Sequence, residues 1–277
     1  MSSNLSPLPA RLQKWLQAVR VIQSVFISGL LGGNLATLAL LRRPSAALAH
    51  LQYGLFGWRM LSGQGLPLRQ LHQVFPTPSQ IGVDLLPAEG YLTWWDANYA
   101  KDVLYLALMC KVLSPGTIFE IGTMHGYTAL LFALNSCPDA TVYTLDLPPD
   151  RLYSPSLPTT IVDDAHIVAH SNSAEYLYNT YPSGNKVCQL YGDSAEFDFM
   201  PYHGKVDLFF VDGAHSYEYV QSDSLAALAC VRPGGVIVWH DYGRWGVNGV
   251  SRWLHQLRRA GKDICRLPGS SLALLRV

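Results

Sequence analysis

Acidic residues stand near the ends of four successive apolar runs in the sequence, at Glu120, Asp146, Asp193 and Asp212. Short runs rich in β-branched and aromatic residues are typical of buried strands. In an open α/β sheet, ligands bind where the strands end. A carboxylate at that edge accepts hydrogen bonds from hydroxyl, amine or ammonium groups. One such acid is common, whereas four in register indicate a binding site.

Two glycines, Gly122 and Gly126, bracket a turn between the first predicted strand and a helix predicted over 127–134. This arrangement brings backbone N–H groups and a helix N-terminus against a ligand. Glycine is needed because a Cβ would block the approach or forbid the turn's dihedral angles. The dinucleotide pattern G-x-G-x-x-G is absent, and Met124 stands where many such turns carry a glycine. Glu120, two residues before Gly122, would repel phosphate and suits an ammonium or sulfonium group.

A second group of chemically capable residues follows the fourth and fifth predicted strands. Asp212 and His215 come after one strand, and His240 and Asp241 come after the next. Histidine is the commonest general base, and carboxylates bind divalent cations. His215 has two interpretations, because it can also cap or orient the helix that follows it. His240 and Asp241 end a strand in the predicted cleft, which favours a functional role.

Strands and helices alternate from residue 117 onward, which predicts a parallel sheet covered on both faces. The pattern predicts a Rossmann-like, doubly wound α/β fold that closes with an antiparallel hairpin over 263–267 and 271–277. We expect this domain to span 89–277, after a helical N-terminal extension over 1–88. Within that extension, 61–87 reads as a linker or a loop over the active site. The strands are predicted at 117–121, 141–145, 187–191, 206–211 and 236–239, and further helices at 96–113, 216–230 and 246–260.

The composition limits the classes of function. The 277 residues carry a formal net charge of zero, so no basic excess favours nucleic acid. None of the five cysteines forms a C-x-x-C pair, which indicates reduced thiols of a cytoplasmic protein. Residues 21–41 contain no charged residue and are long enough to span a bilayer. The same stretch can instead form a packed helix or a homo-oligomer surface, so membrane association stays one of two interpretations.

The motifs, taken in order, resemble those of class I S-adenosyl-L-methionine (SAM)-dependent methyltransferases. The glycine turn matches their first motif. The segments 211–217 (VDGAHSY), Asp223, 233–235 (PGG) and 240–242 (HDY) are similar to one branch of that fold. The branch contains small-molecule O-methyltransferases grouped with macrocin O-methyltransferase and cephalosporin-hydroxylase-like proteins. The resemblance covers about residues 90–277 and implies a Rossmann-like sheet with a closing hairpin.

This resemblance implies a role for each of the acidic and glycine positions. The glycine turn would hold the methionine and ribose parts of SAM, through Glu120, Gly122, Thr123 and Gly126. Asp146, after the second strand, would bind the ribose hydroxyls, and Asp193 and Ser194, after the third, would lie at the adenine. The reacting groups, after the fourth and fifth strands, would be Asp212, His240 and Asp241.

The resemblance also implies a metal site, since several relatives bind a divalent cation through carboxylates that end strands four and five. Asp212 and Asp241 match those positions, but the usual third acidic ligand is not evident and His240 stands there. Oxygen ligands favour Mg²⁺, whereas a histidine ligand favours a transition metal. The set Asp212, Asp241 and His240 is therefore the predicted site for Mg²⁺ or another divalent cation. Without a metal, His215 or His240 would be the general base, with Asp241 beside them.

We therefore expect a SAM-dependent methyltransferase that acts on an oxygen of a small molecule or sugar. The alternatives are an NAD-dependent oxidoreductase and a non-catalytic relative that binds SAM. The oxidoreductase is disfavoured by the missing G-x-G-x-x-G and by the closing hairpin. The acceptor pocket is built from the variable parts of such a fold, so the sequence does not identify the acceptor.

Overall fold

The computed structural model describes residues 65–86, 99–148, 155–160, 162–164, 167, 175–244 and 247–277. They all belong to one compact unit, Gly57–Val277. Within that part of the chain, no helix is long and apolar enough to cross a membrane. The segment 21–41 lies outside the described residues, so its two interpretations stay predictions, as does the boundary between the extension and the domain.

The described elements build a seven-stranded mixed sheet in the order β3-β2-β1-β4-β5-β7-β6. Strands β1 to β5 are parallel, whereas β7 runs antiparallel to both β5 and β6. The Rossmann-like fold class and its closing hairpin are thereby confirmed. The strands are β1 Thr117–Ile121, β2 Thr141–Asp146, β3 Val187–Tyr191, β4 Val206–Val211, β5 Val231–Trp239, β6 Cys265–Arg266 and β7 Ala273–Arg276.

The described α-helices with complete bounds are α1 Leu71–Val74, α2 Tyr99–Leu113, α3 Tyr127–Asn135, α4 Tyr217–Cys230 and α5 Asn248–Arg259, and residues 162–164 are also helical. Three short 3₁₀ helices occupy Leu177–Thr180, Pro182–Lys186 and Met200–Tyr202. Ser216 caps α4 by accepting a hydrogen bond from the backbone N–H of Tyr219, at 3.2 Å. The cap satisfies one of the free N–H groups of the first turn.

The fifth strand begins earlier than the sequence predicted. It was expected over 236–239 after a Pro-Gly-Gly turn, but β5 begins at Val231 and contains those residues. The pairing with β4 is irregular here, because Val206 pairs with Val231 while Leu208 pairs with Val236. The extra residues bulge from the ladder, and Gly234 takes a positive φ of 83° there. A bulge accommodates the proline and glycines that suggested a turn.

Alternate side chains of each strand enter two apolar cores, one on each face of the sheet. In β1, Ile118 contributes to one core and Phe119 to the other, and both are fully buried. Burial on both faces explains why the strands read as continuous apolar runs. The two cores fix where the strands end, and so they fix the edge on which the acidic residues lie.

The described residues 65–86 pack into these cores. Leu66 belongs to one core, while Phe75 and Leu86 belong to the other. The backbone N–H of Leu66 donates to the Tyr242 hydroxyl at 2.9 Å, and Leu68 forms a bridge to Arg266. The expectation of a linker or a loop over the active site is therefore wrong for this part of the segment, since these side chains complete the core.

Candidate functional site

A cavity of about 430 Å³ opens at the carboxyl ends of the parallel strands. The glycine turn after β1 forms one wall, and the residues that end β2, β4 and β5 form others. Part of the segment between β2 and β3 also reaches the cavity. Of the predicted site residues, the structure brings the following to the cavity wall: Gly122, Thr123, Asp146, Asp193, Ser194, Asp212, His215, His240 and Asp241.

The glycine turn needs both of its glycines. Gly122 has a φ of 98°, and a Cβ added there would lie 2.1 Å from the carbonyl oxygen of Asp212. Gly126 has a φ of 76°, and its Cβ would lie 2.6 Å from the ring of Tyr178. Close packing against backbone and ring therefore excludes any side chain at either position. Gly126 also precedes α3, so the turn leads into a helix N-terminus.

Asp146 ties the glycine turn to the end of β2. Its Oδ2 accepts a hydrogen bond from the backbone N–H of Met124, and its Oδ1 accepts one from Leu147, each at 2.7 Å. Met124 has a positive φ of 48°, which is uncommon for a residue with a side chain. The carboxylate thus holds the turn in an unusual backbone conformation.

Glu120 lies under the cavity rather than on its wall. It is fully buried, and its Oε2 accepts a hydrogen bond from Thr144 Oγ1 at 2.6 Å. The other oxygen, Oε1, has no hydrogen-bond partner among the described residues. Burial and the nearby carboxylates of Asp212 and Asp146 hold the pKa of Glu120 well above its usual value. Thr123 joins the same group, with its Oγ1 2.7 Å from that of Thr144.

Asp193, after β3, accepts hydrogen bonds from three residues. Its Oδ2 accepts hydrogen bonds from the backbone N–H and the Oγ of Ser156 and from the Tyr219 hydroxyl, at 2.7–2.9 Å. Its Oδ1 accepts one from the backbone N–H of Ala195. Burial raises the pKa of Asp193, but the bonds from Ser156, Ala195 and Tyr219 outweigh it and lower the pKa. Ser194 lies beside it on the cavity wall.

His240 is surrounded by carboxylates. Its Nδ1 lies 2.9 Å from Asp212 Oδ1 and 3.3 Å from Asp241 Oδ1, while its Nε2 lies 3.3 Å from Asp102 Oδ2. Burial lowers the pKa of His240, but Asp212, Asp241 and Asp102 together raise it well above its usual value. The carboxylates therefore favour the imidazolium form of the ring, whose charge offsets part of the negative charge at the ends of β4 and β5.

His215 is held in the same way by two other carboxylate contacts. Its Nδ1 lies 2.7 Å from Asp163 Oδ1, and its Nε2 lies 3.0 Å from Asp241 Oδ2. Burial lowers the pKa of His215, but Asp163 and Asp241 raise it to about 10. His215 is therefore also protonated near neutral pH, and a protonated ring donates a proton but does not accept one.

Asp241 connects these groups. Asp241 contacts both histidines, and its Oδ1 also lies 2.8 Å from Arg244 Nε. Burial raises the pKa of Asp241, but His240, His215 and Arg244 outweigh it and hold the pKa well below its usual value. Asp241 also has a positive φ of 58°. A non-glycine residue in that region is strained, and such strain clusters at functional sites.

Three charged residues of this network were missed by the sequence analysis, namely Asp102, Asp163 and Arg244. Asp102 is fully buried on α2 and also accepts hydrogen bonds from the backbone N–H and the Oγ of Ser271, at 2.8 and 2.7 Å. A signal existed for Asp102, since it is a charged residue within a helix of mainly apolar residues. Asp163 lies in a helical stretch at 162–164, within a segment whose sequence shows no period, so no comparable signal marked it.

The comparisons with known proteins agree with this geometry. Residues 119–242 match a family model described as "Methyltransferase domain". No curated protein sequence matches the chain. The matched residues begin in β1 and end at Tyr242, so they include the glycine turn and the network around His240.

Solved structures with similar coordinates include three bacterial and fungal methyltransferases. The O-methyltransferase TomG from Streptomyces achromogenes, in complex with SAM, is 20% identical, with a TM-score of 0.45 and coverage of 64% of this chain and 80% of that one. The SAH-bound methyltransferase PaMTH1 from Podospora anserina is 17% identical, with a TM-score of 0.46 and coverages of 63% and 77%. The O-methyltransferase from Bacillus cereus, in complex with SAH, is 15% identical, with a TM-score of 0.43 and coverages of 69% and 94%. At these identities and TM-scores the structural likenesses assign no activity, and the family model covers only residues 119–242 of the chain.

Proposed function

We propose that this chain is a SAM-dependent methyltransferase that transfers a methyl group to an oxygen of a small molecule or sugar. One observation supports the proposal most strongly: a single cavity is lined both by the glycine turn after β1 and by the network of Asp212, His240 and Asp241. The turn supplies a cofactor end, and the network supplies a reacting end. At about 430 Å³ the cavity lies within the range of small-molecule sites, about 300–1,000 Å³.

The residues at the cofactor end fit SAM. Gly122, Thr123 and Met124 of the turn line the cavity, so a ligand there contacts the turn, and the two glycines let the turn pack closely on Asp212 and Tyr178. Asp146 accepts two backbone N–H groups, and its carboxylate keeps further lone pairs for ribose hydroxyls. The buried Oε1 of Glu120 is an acceptor without a partner among the described residues, which suits a positively charged ligand nearby.

The reacting end fits the modest demands of methyl transfer. SAM supplies an activated methyl group, so the protein must align the acceptor oxygen and take its proton. Both histidines already carry protons, so we assign proton acceptance to Asp241, whose side chain is 11% exposed. A carboxylate of low pKa suffices, because an oxygen becomes strongly acidic as it gains a methyl group. His215, His240 and Arg244 hold that carboxylate in place.

We also propose that Asp212, His240 and Asp241 bind a divalent cation. Each offers one ligand atom, and these atoms lie within 4.8 Å of one another. The two carboxylates suit magnesium or manganese, whereas the imidazole shifts the preference toward a transition metal such as zinc. A cation at this position requires His240 Nδ1 without its proton, so proton and cation compete for one place. When bound, it would polarise the acceptor oxygen and favour its ionised form.

The experiment that tests the proposed activity follows a labelled methyl group from SAM to a panel of hydroxyl-bearing small molecules and sugars, with and without added magnesium. We expect a labelled ether with at least one acceptor. Asp241→Asn should lose most of this transfer and still bind SAM, because Asp241 lies at the reacting end. Full transfer by Asp241→Asn would remove Asp241 from the chemistry, and no transfer to any acceptor would favour the non-catalytic SAM-binding alternative.

A further inference from the structure

Asp163 comes from the segment between β2 and β3, and it is buried at 4% exposure. Thr160 holds one side of its carboxylate. The backbone N–H and the hydroxyl of Thr160 donate to Asp163 Oδ2 at 2.7 and 2.8 Å, and the backbone N–H of Asp163 donates back to Thr160 Oγ1 at 3.2 Å. These three bonds fix the carboxylate locally and leave Oδ1 to face the end of β4.

The other oxygen of the Asp163 carboxylate, Oδ1, contacts two nitrogen atoms of His215. The backbone N–H of His215 donates to Asp163 Oδ1 at 2.9 Å, and His215 Nδ1 lies 2.7 Å from the same atom. One oxygen therefore fixes both the main chain and the ring of His215. Hydrogen bonds to an ionised acceptor are shorter and about twice as strong as neutral ones, so this contact outweighs an ordinary loop contact.

The other edge of the His215 ring reaches Asp241. His215 Nε2 lies 3.0 Å from Asp241 Oδ2, and the rigid imidazole fixes the separation of the two carboxylates that it bridges. Asp241 needs this support because its backbone has a φ of 58°, and because it lies at the end of β5, where the chain leaves the sheet. The two oxygens of Asp241 contact different partners, Oδ2 His215 and Oδ1 Arg244, which restricts rotation of the carboxylate.

We propose that Asp163 is a positioning residue for methyl transfer, which acts through His215 to keep Asp241 turned toward the acceptor. The inference rests on the proposed function, since that function defines the acceptor end of the cavity. It gives the segment between β2 and β3 a part in the reaction. The same segment is anchored a second time, because Ser156 donates to Asp193 after β3.

Asp163→Asn is the informative substitution, because the amide has the size of the carboxylate but cannot make the same contacts. An amide offers one oxygen and one NH₂ group. If the amide oxygen faces His215, the NH₂ group faces the backbone N–H of Thr160, which is also a donor. If the amide is flipped, the NH₂ group faces the two donors of His215. The matched control is Asp164→Asn, which changes the neighbouring carboxylate, exposed and paired with Thr159.

The test measures three quantities on each full-length variant: SAM affinity by calorimetry, kcat and KM for the labelled transfer, and the low-field proton resonance of His215 Nδ1–H. For Asp163→Asn we expect SAM affinity and KM within about twofold of the wild type, kcat lower by roughly 10²-fold, and a lost or shifted resonance. Asp164→Asn should match the wild type throughout. Loss of SAM binding together with kcat would indicate a purely structural role and overturn the proposal.

A second variant keeps the proposal testable if Asp163→Asn does not fold. Thr160→Val removes the hydroxyl that donates to Asp163 Oδ2 and accepts from the Asp163 backbone N–H, but it keeps the carboxylate, so its kcat should fall less, with the resonance retained but shifted. If folded Asp163→Asn has the wild-type kcat, the role of Asp163 is rejected and the proposed function is not affected. If Asp163→Asn does not fold, a wild-type kcat of Thr160→Val has the same meaning. Absence of transfer by the wild type would instead reject the proposed function, so the two failures are distinguishable.

Discussion

His240 Nδ1 lies 2.9 Å from Asp212 Oδ1, which joins the residues that end β4 and β5 in one ion pair. The pair has a direct consequence for the site. Two neighbouring carboxylates, Asp212 and Asp241, would repel each other, and an imidazolium between them removes that repulsion. The arrangement of the reacting end therefore depends on what occupies the position of the His240 Nδ1 proton.

The first prediction concerns the glycine turn. Gly122→Ala should weaken SAM binding at least tenfold, because its Cβ would lie 2.1 Å from the carbonyl oxygen of Asp212 and must displace the turn. Gly261→Ala is the matched control, since Gly261 has a similar φ of 93° and nothing within 4 Å of the added Cβ. Calorimetric titration with SAM compares them. Equal losses in both variants would show that backbone strain, rather than the turn's contact, is responsible.

The second prediction concerns the cation. Because the neighbouring carboxylates raise the pKa of His240, the proton on Nδ1 competes with a metal for that nitrogen. Manganese affinity should therefore rise with increasing pH, and binding should release a proton. Calorimetry in buffers of different ionisation enthalpy measures that proton. Asp241→Asn should bind manganese at least tenfold more weakly, whereas pH-independent binding in both proteins would place the cation elsewhere.

Much of this architecture was predictable because it depends on local sequence patterns. β1, β3 and β4 lie where their apolar runs predicted them. The closing hairpin was also predictable from two short apolar runs around a Pro-Gly-Ser turn. The pairing of His240 with Asp212 follows from the adjacency of β4 and β5.

The rest depends on tertiary contacts that no local pattern encodes. Asp102 reaches His240 from a helix that precedes β1, across 138 positions of sequence. Asp163 reaches His215 from a segment without periodicity, across 52 positions. The protonation of both histidines follows from these added carboxylates, so the sequence could propose His215 and His240 as bases but could not show that they are held as cations.

The third prediction uses Asp223, which is fully buried on α4. Burial raises the pKa of Asp223 from 3.8 to about 7, so the folded state binds a proton that the unfolded state has released. The free energy of unfolding should therefore fall as pH rises from about 4 to about 7, by a few kcal/mol. Asp223→Asn should be more stable than the wild type above pH about 7, and this advantage should shrink at lower pH. Urea unfolding across this range measures it, with the exposed Asp139→Asn as control.

The fourth prediction concerns the residues that precede α2. Phe75→Ala should destabilise the protein by about 3–5 kcal/mol, because Phe75 is 2% exposed in the core formed with Leu71 and Leu86. Leu68→Ala, at a side chain 52% exposed, should cost much less. Urea denaturation compares the two variants. Similar small losses would mean that residues 65–86 do not contribute to the stability of the domain.

One calorimetric comparison measures whether the cavity binds SAM. The full-length protein is titrated with SAM and, separately, with NAD⁺. We predict one SAM bound per chain, an affinity weakened at least tenfold by Gly122→Ala, and no binding of NAD⁺, because the turn has Met124 where the dinucleotide pattern needs a glycine. Binding of NAD⁺ without binding of SAM would contradict the account and favour the oxidoreductase alternative.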